Sequence, residues 1–400
     1  MIKIKTALVL LIFGVNLQVC ISQDINFSTL DNYFIENVDN GKIAGAITLI
    51  AKSDEILHLK SYGYSDIENA VSINTETLIP IASMTKIMTT IAILQLYEKG
   101  EFLLDDPIEN YIPEFKKVRV LTKPDSSSSE ALTIKPTIRD FLRHTSGIVY
   151  SDGESYTDKL YLKAGFRQWN KPLEDFISAI TEIPLAFQPN KKWNYGYSHD
   201  VLGFLVEKVT GTPLNQYFKS TIFNPLNMKN TDFYVPKNKS NKLSNLYRYE
   251  KGKLIVEDHR DSSIYNTLPS AISGGGGWWS PYGGVVTSID DFYILAKMLL
   301  NFGSYNNTAI LKPETVRLMI ANQIGGLDAY GNKYGLGVGV EITDNGDTKE
   351  IFWAGGPYNS YFWIDYEKEI IGIMYTNTAP LGHLGMMNTY KELAEDALNN

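Results

Sequence analysis

Cysteine and histidine are scarce in this sequence. One cysteine among 400 residues excludes an intramolecular disulfide and any metal site built from several cysteines. The five histidines are scattered, and no two of them have the close spacing that is typical of a metal-binding pair. The sequence therefore predicts neither a metal site nor a cofactor.

Basic residues are fewer than acidic ones. Lys and Arg number 37 and Asp and Glu number 45, which gives a net charge of −8. An acidic chain without a basic block does not favour nucleic acid as a partner. The hydrophobic fraction of 44% and the charged fraction of 20% are ordinary for a folded protein, which excludes intrinsic disorder.

Long hydrophobic runs are also missing, because no segment has the roughly 20 apolar residues that a transmembrane helix needs. Residues 1–22 instead have the pattern of a signal peptide, with two lysines before a short apolar run at 7–15 and small residues after it. We therefore expect a periplasmic or secreted protein. Cys20 leaves a lipoprotein open as an alternative, although the bulky Val19 before it favours a discarded leader.

Apolar patterning predicts strands at both ends of the mature chain, residues 23–400. Residues 43–51 and 56–64 predict a β-hairpin, and four later runs predict further strands: 334–342, 348–353, 361–366 and 369–377. A period of 3.6 predicts a helix at 83–98. Further helices are predicted at 31–38, 137–144, 173–180, 199–210, 214–222, 289–302, 312–322 and 387–398. This order predicts an α/β lobe, about 24–76 and 270–400, with an inserted helical lobe, about 77–269. The cleft between two such lobes is the expected place for a site.

The residues that suggest chemistry begin at the start of the predicted 83–98 helix. Ser83 and Lys86 lie one turn apart on one helix face. A serine at a helix N-terminus is close to free backbone N–H groups and to the positive end of the helix dipole. A neighbouring lysine activates it when that lysine is transiently neutral. This short pattern also fits a serine N-cap beside an exposed lysine, so other motifs must decide.

Further motifs follow in a fixed order: 137–147 (TIRDFLRHTSG), 193–203 (WNYGYSHDVLG), 273–277 (SGGGG), 283–302, 334–337 (YGLG) and 353–356 (WAGG). Together with Ser83 and Lys86, this set resembles the serine β-lactamase-related family, which includes class C β-lactamases, D-alanyl-D-alanine peptidases and family VIII carboxylesterases. The resemblance implies a β-lactamase/penicillin-binding-protein-like α/β fold, in which terminal helices flank an antiparallel sheet and a helical lobe is inserted. It also implies a covalent acyl-enzyme.

The resemblance carries site residues over to this chain. Ser83 matches the nucleophile, Lys86 its helix partner, and Tyr195 the tyrosine that serves as general base. Tyr197 stands where class C enzymes have the asparagine that holds a β-lactam amide. Trp353 stands where they have a lysine that binds a carboxylate. Both departures point away from a dedicated β-lactamase. The spacing from Tyr195 to residues 200–203 and the motif that begins at Trp353 instead resemble family VIII esterases.

Two registers compete for the third motif. The resemblance implies that the residue three positions after the motif's first supplies a backbone N–H to the oxyanion hole. Counted from Ala354 that residue is Pro357, which has no N–H, whereas counted from Trp353 it is Gly356. Losing one such donor costs roughly 2.7–4 kcal/mol of transition-state stabilisation. We therefore expect Trp353, Gly355 and Gly356 to be the substrate-binding residues.

Other chemically suggestive residues have simpler interpretations. His144 is interpreted as a structural turn residue and His199 as a helix-start or cleft-edge residue. The glycine run at 274–277 lacks the Lys-Ser/Thr of a phosphate loop and predicts a close-packed loop. Trp278 and Trp279 then belong either to the core or to the wall of a substrate pocket. No G-x-S-x-G occurs, which excludes the nucleophile elbow of the α/β-hydrolases.

The sequence thus predicts an exported serine hydrolase that cleaves carboxylic esters through a Ser83 acyl-enzyme, with Lys86 and Tyr195 as proton-transfer partners. One alternative is a D-amino-acid peptidase or weak β-lactamase of the same superfamily. Another is a non-catalytic penicillin-fold binding protein. The expected partner is a small-molecule ester or amide, with no nucleic acid, and with a membrane only if Cys20 is lipidated.

Overall fold

A computed structural model describes residues 25–150, 153–166, 172–233, 235–257, 284–380 and 382–399. The predicted signal peptide of residues 1–22, with Cys20, lies outside the described residues, as do the glycine run at 274–277 and the two tryptophans after it. Within the described ranges, every helix is too short or too polar to cross a bilayer.

Helices and strands are numbered in chain order. The α-helices are α1 Ser28–Asp39, α2 Thr85–Glu98, α3 Ile138–Leu142, α4 Tyr156–Ala164, α5 Leu173–Ile180, α6 Ser198–Thr210, α7 Leu214–Phe218, α8 Ile289–Leu300, α9 Pro313–Ile320 and α10 Met386–Asn399. The strands are β1 Gly45–Lys52, β2 Glu55–Asp66, β3 Val71–Ser72, β4 Ile79–Pro80, β5 Arg119–Leu121, β6 Ser129–Ala131, β7 Leu246–Glu250, β8 Lys253–Glu257, β9 Val286–Thr287, β10 Ser304–Tyr305, β11 Thr308–Ala309, β12 Lys333–Tyr334, β13 Gly339–Ile342, β14 Thr348–Ala354, β15 Tyr361–Asp365, β16 Ile370–Thr376 and β17 Thr378–Ala379.

Strands from both ends of the chain form one antiparallel sheet in the order β12–β13–β14–β15–β16–β1–β2–β3. The predicted hairpin is β1–β2, and β1 also pairs with β16, so the two chain ends meet in the middle of the sheet. The helices α1 and α10 cover one face, where Phe34, Trp363 and Tyr390 share a hydrophobic cluster. The helices α2–α7 lie in the segment between β3 and β9, and the predicted fold class is confirmed.

The prediction of one continuous strand at 334–342 is wrong in the middle of that segment. The structure has two short strands, β12 and β13, joined by a tight connection through Gly337. This glycine has φ of +75°, and a Cβ at its position would lie 2.0 Å from Oγ1 of Thr90. Only glycine allows that approach, so the chain leaves the sheet at this point in order to pack on α2.

Helix α2 is the central helix of the described structure, because residues 85–96 are all buried. The sequence predicted that the helix begins at Ser83, but a single 3₁₀ turn, Ala82–Met84, precedes it and α2 begins at Thr85. A helix that is buried on every side brings its polar side chains into the core, where they need partners. Lys86 is one of these side chains, and its surroundings define the site.

Candidate active site

The 3₁₀ turn places Ser83 at the front end of α2. It follows β4, which pairs with β9, and the Ile81 amide donates to the Val285 carbonyl at 3.0 Å. Ala82 has φ of +41°, a conformation that residues with a side chain rarely adopt. Strained backbone of this kind clusters at functional sites, where the surrounding structure holds it in place. Ser83 itself is 4% exposed and lines a cavity.

The Lys86 side chain reaches Ser83 from within the core. Its Nζ donates to the Ser83 Oγ at 3.3 Å and to the Tyr150 hydroxyl at 3.2 Å. Lys86 has no solvent exposure, and burial lowers its pKa to about 7, while the buried Asp200 carboxylate acts in the opposite direction. A lysine in this environment is neutral in a substantial fraction of molecules at neutral pH, as a proton acceptor requires.

Tyr195 completes the group around the serine. The centre of its ring lies 4.8 Å from the Lys86 Nζ, and its hydroxyl is buried. Burial raises the pKa of Tyr195, although the nearby Ser83 and Tyr150 hydroxyls act to lower it. Among the described residues, its hydroxyl has no hydrogen bond of good geometry. The tyrosine is therefore held in its protonated form, next to the serine.

The 137–147 motif and the 193–203 motif lie side by side and hold Tyr195 in place. The backbone N–H of Asn194 donates to the backbone carbonyl of His144 at 3.0 Å, and the hydroxyls of Ser146 and Ser198 are 2.9 Å apart. Both contacts lie within a few residues of Tyr195, so its backbone is fixed from both sides.

The two histidines lie behind the tyrosine rather than at the cavity. His144 sits in a turn with φ of +58°, and its ring centre is 4.7 Å from that of Tyr195. His199 lies at the start of α6, and its Nε2 is 3.2 Å from the Oγ1 of Thr90 in α2. Burial holds the pKa of both imidazoles well below the usual 6.5, so they are neutral at neutral pH.

Tyr150 is a site residue that the sequence analysis missed. It is buried, it accepts a hydrogen bond from Lys86, and its ring packs 5.2 Å from that of Tyr195. The motif recognised in the sequence ended at Gly147. The three residues after it, Ile148-Val149-Tyr150, have the pattern of a buried core segment. That pattern gives no sign that the Tyr150 hydroxyl accepts a hydrogen bond from the lysine.

The third motif lies directly against the turn of Ser83. A Cβ at Gly355 would lie 2.8 Å from the Ile81 carbonyl oxygen, so this close approach requires glycine. Gly356, with φ of +70°, lies beside Ala82 and lines the cavity with Ser83. The Trp353 ring centre is 5.1 Å from that of Tyr195. The structure thus brings the predicted site residues together. That the Gly356 N–H points into the oxyanion hole stays a prediction.

Tyr197, in the position where class C enzymes have asparagine, does not face the cavity. It is buried in the helical part of the structure, where its ring packs 4.5 Å from Tyr150 and against other aromatic rings: Tyr161, Phe166 and Phe176. The Tyr197 side chain therefore packs in the core, and this position offers the cavity no side-chain amide.

The cavity in front of Ser83 has a volume of about 350 Å³. Its described lining is mostly aromatic and apolar, and none of these side chains is charged: Ser83, Tyr195, Tyr330, Phe352, Trp353, Ala354, Gly356, Tyr361, Met387 and Asn388. A neutral substrate with an apolar body fits such a lining, because a charged one would lose its hydration without gaining a partner.

Comparison with known proteins confirms the family that the motifs indicated. The sequence model of the β-lactamase family matches residues 30–396. Esterase EstB of Burkholderia gladioli is 32% identical over 207 residues, which cover 51% of this chain and 50% of that protein. Lovastatin esterase of Penicillium rubens is 28% identical over 345 residues, 82% of each chain.

A solved structure has the same fold. It is that of EstCE1, described as a hydrolase with promiscuous acyltransferase activity, and it superimposes with a TM-score of 0.75. The match covers 94% of this chain and 99% of that one, at 24% sequence identity.

Proposed function

The chain belongs to the β-lactamase family, and we propose that it is an exported serine hydrolase that cleaves neutral carboxylic esters through an acyl-enzyme on Ser83. One observation carries the proposal. The Ser83 hydroxyl lies at a mostly apolar cavity and accepts a hydrogen bond, at 3.3 Å, from a fully buried lysine whose pKa is lowered to about 7.

In the first half of the reaction, neutral Lys86 takes the proton of Ser83 while Oγ attacks the ester carbonyl. The backbone N–H groups of Ser83 and Gly356 stabilise the oxyanion that forms. The bond from carbonyl carbon to alcohol oxygen then breaks. Tyr195 gives its proton to that oxygen and recovers one from the Lys86 ammonium. The alcohol leaves, and the enzyme is acylated with both partners neutral again.

Water completes the reaction by the same route. It loses a proton to Lys86 as it attacks the acyl carbon, and the Ser83 oxygen leaves with a proton returned through Tyr195. Lys86 is the acceptor in both halves, since burial lowers the pKa of Lys86 and raises the pKa of Tyr195. A phenolate at Tyr195 is disfavoured in this environment, so the tyrosine works as a proton relay.

The preference for esters rests on the groups that face the substrate. The side chain of Trp353 lines the cavity where class C enzymes have a cationic lysine, and the described lining offers no positive charge to a β-lactam carboxylate. The buried Tyr197 offers no amide-binding group. The names of two relatives, EstB and lovastatin esterase, identify them as esterases, which agrees with this preference.

The test is covalent labelling combined with a substrate panel. Intact mass after fluorophosphonate treatment should show one adduct, absent in Ser83→Ala and present in Ser304→Ala, a change at an exposed serine outside the site. p-Nitrophenyl butyrate should be hydrolysed with a higher kcat/KM than nitrocefin or a D-Ala-D-Ala peptide. An adduct that persists in Ser83→Ala would refute the assignment of Ser83 as the nucleophile. A higher kcat/KM for nitrocefin or the peptide than for the ester would refute the assignment of the protein as an esterase.

Export is the remaining part of the proposal and rests on the signal-peptide pattern of residues 1–22. N-terminal sequencing of the protein from the producing cell should find a chain that begins near Gln23. An intact Met1 in a cytosolic fraction would contradict export, and a diacylglyceryl Cys20 would identify a lipoprotein instead.

A further inference from the structure

The cavity does not end at Trp353 but continues around the end of β14. Four of its lining residues, Phe352, Tyr361, Met387 and Asn388, belong to the part that lies beyond the tryptophan, and these four form the outer arm. The first two come from β14 and β15, and the last two from the first turn of α10.

The strand geometry explains why the cavity has two parts. Phe352 and Trp353 are consecutive residues of β14, so their side chains point to opposite faces of the sheet. Trp353 packs against Tyr195 on the face of Ser83. Phe352, together with Tyr361 and Met387, packs against the hydrophobic cluster between the sheet and α10. The cavity therefore passes over the end of the strand from one face to the other.

The outer arm is uncharged, and the lysine that follows it on α10 is already paired with carboxylates of the protein. One turn after Met387 on α10, Lys391 forms an ion pair with the buried Glu350 of β14. The same lysine also lies 4.0 Å from Glu341. Glu395, one turn further along α10, lies 3.9 Å from its Nζ as well. Because all three partners are carboxylates of the protein, this lysine is already neutralised. Asn388, which is exposed, is the one amide side chain among the four residues of the arm.

We propose that the outer arm binds the alcohol portion of the ester and that Met387 and Phe352 limit the size of alcohol accepted. This inference rests on the proposed function. In that reaction the leaving oxygen takes its proton from Tyr195, so the alcohol portion must lie on the side of Ser83 where Tyr195 lies. From there the cavity leads past Trp353 to the outer arm.

The lining also defines the class of alcohol. Aromatic and thioether side chains bind flat or extended apolar groups, and they adapt to irregular shapes because methionine is flexible. The alcohols expected are phenols or longer primary alcohols with an uncharged, apolar body. A hydrogen-bonding group at the far end would meet the Asn388 amide at the rim.

The experiment varies the alcohol at constant acyl group. Phenyl acetate and 2-naphthyl acetate give the same acetyl-enzyme, so kcat/KM differences between them arise before or during acylation. Met387→Trp fills the arm and should lower the kcat/KM ratio of naphthyl to phenyl ester by roughly tenfold, a size typical of pocket-filling changes. Met387→Ala widens the arm and should raise the same ratio. A variant that merely folds poorly would not shift selectivity in opposite directions.

A second series holds the alcohol constant. p-Nitrophenyl acetate, butyrate and octanoate differ only in the acyl group, and their relative kcat/KM values should stay as in the native protein in both Met387 variants. The matched control is Ile35→Trp, at an exposed apolar residue of α1 that is not among the residues lining the cavity, and it should leave both series unchanged.

Each other outcome overturns the inference. Variants that change the acyl series and not the alcohol series would show that the outer arm binds the acyl group. Variants that change neither would show that substrate does not reach it. If the native protein hydrolyses no ester and takes no fluorophosphonate on Ser83, the proposed function itself is wrong. That result is distinct from the first two, in which turnover persists.

Discussion

The two sides of Ser83 differ in polarity and in exposure. On the inner side, Lys86, Tyr150 and Tyr195 are buried and surround the serine with polar atoms. On the outer side, the cavity is open and has walls of aromatic and apolar side chains, among them the 74% exposed Tyr330. The serine thus separates a region suited to moving protons from a region suited to holding an apolar molecule.

Burial sets the chemistry of the inner side. It lowers the pKa of Lys86 and of the two histidines, and it raises the pKa of Tyr150 and Tyr195. In every case the neutral form is favoured, because a buried charge loses its hydration. The outer side has no comparable control over protonation, so we expect it to select the substrate rather than to assist in proton transfer.

The largest expected effect on activity comes from substitutions on the inner side of Ser83. Lys86→Ala removes the proton acceptor and Tyr195→Phe removes the relay, because the serine is a poor nucleophile at its own pKa. Each change should lower kcat for p-nitrophenyl butyrate by roughly 10²-fold or more, as the loss of general-base or general-acid help typically does. The measurement is steady-state kinetics on variants whose circular dichroism matches that of the native protein.

Tyr334→Phe is the matched control for the tyrosine. Tyr334 is buried in the same aromatic group, 5.2 Å from Trp353, but its hydroxyl is not part of the proposed proton route. Its removal should leave kcat near the native value. If Tyr195→Phe instead kept native activity, the relay would lie elsewhere, and His199 would be the first residue to test.

The sequence predicted the parts of the site that depend on local spacing. Ser83 and Lys86 are three residues apart, so any helical turn brings them to one face, and this holds although the first turn is 3₁₀. The order of motifs led to Tyr195 and Trp353 through family resemblance. The sheet was predictable because β1, β2 and the last strands have period-two or continuous apolar patterns.

What the sequence could not predict depends on long-range packing. The break at Gly337 arises from contact with Thr90 of α2, which is far away in the chain. Tyr150 looks like a core residue until Lys86 is placed beside it. The outer arm needs α10 next to β14, a contact between elements that are distant in the chain. None of these three features has a local sequence signal.

The smallest expected effect is a change in the pH profile, which sharpens the assignment of the proton acceptor. Lys86 must be neutral to accept a proton, and with a pKa of about 7 its neutral fraction grows as the pH rises through that value. The two buried histidines and the tyrosines Tyr150 and Tyr195 do not ionise there. His144 and His199 have pKa values well below 6.5, and those of the neighbouring tyrosines are raised. We therefore expect kcat/KM to rise with pH and to level off above about 7.

The Asp200 carboxylate favours the protonated form of Lys86 and so raises the pKa of the lysine. Asp200→Asn removes this charge, so the rising limb of the kcat/KM profile should move to lower pH, and at pH 6 the variant should keep a larger fraction of its own plateau activity than the native protein. Asp39→Asn, a change at an exposed aspartate of α1, should leave the limb in place. A limb that does not move in Asp200→Asn, or that moves to higher pH, would mean that a group other than Lys86 takes the proton from the serine.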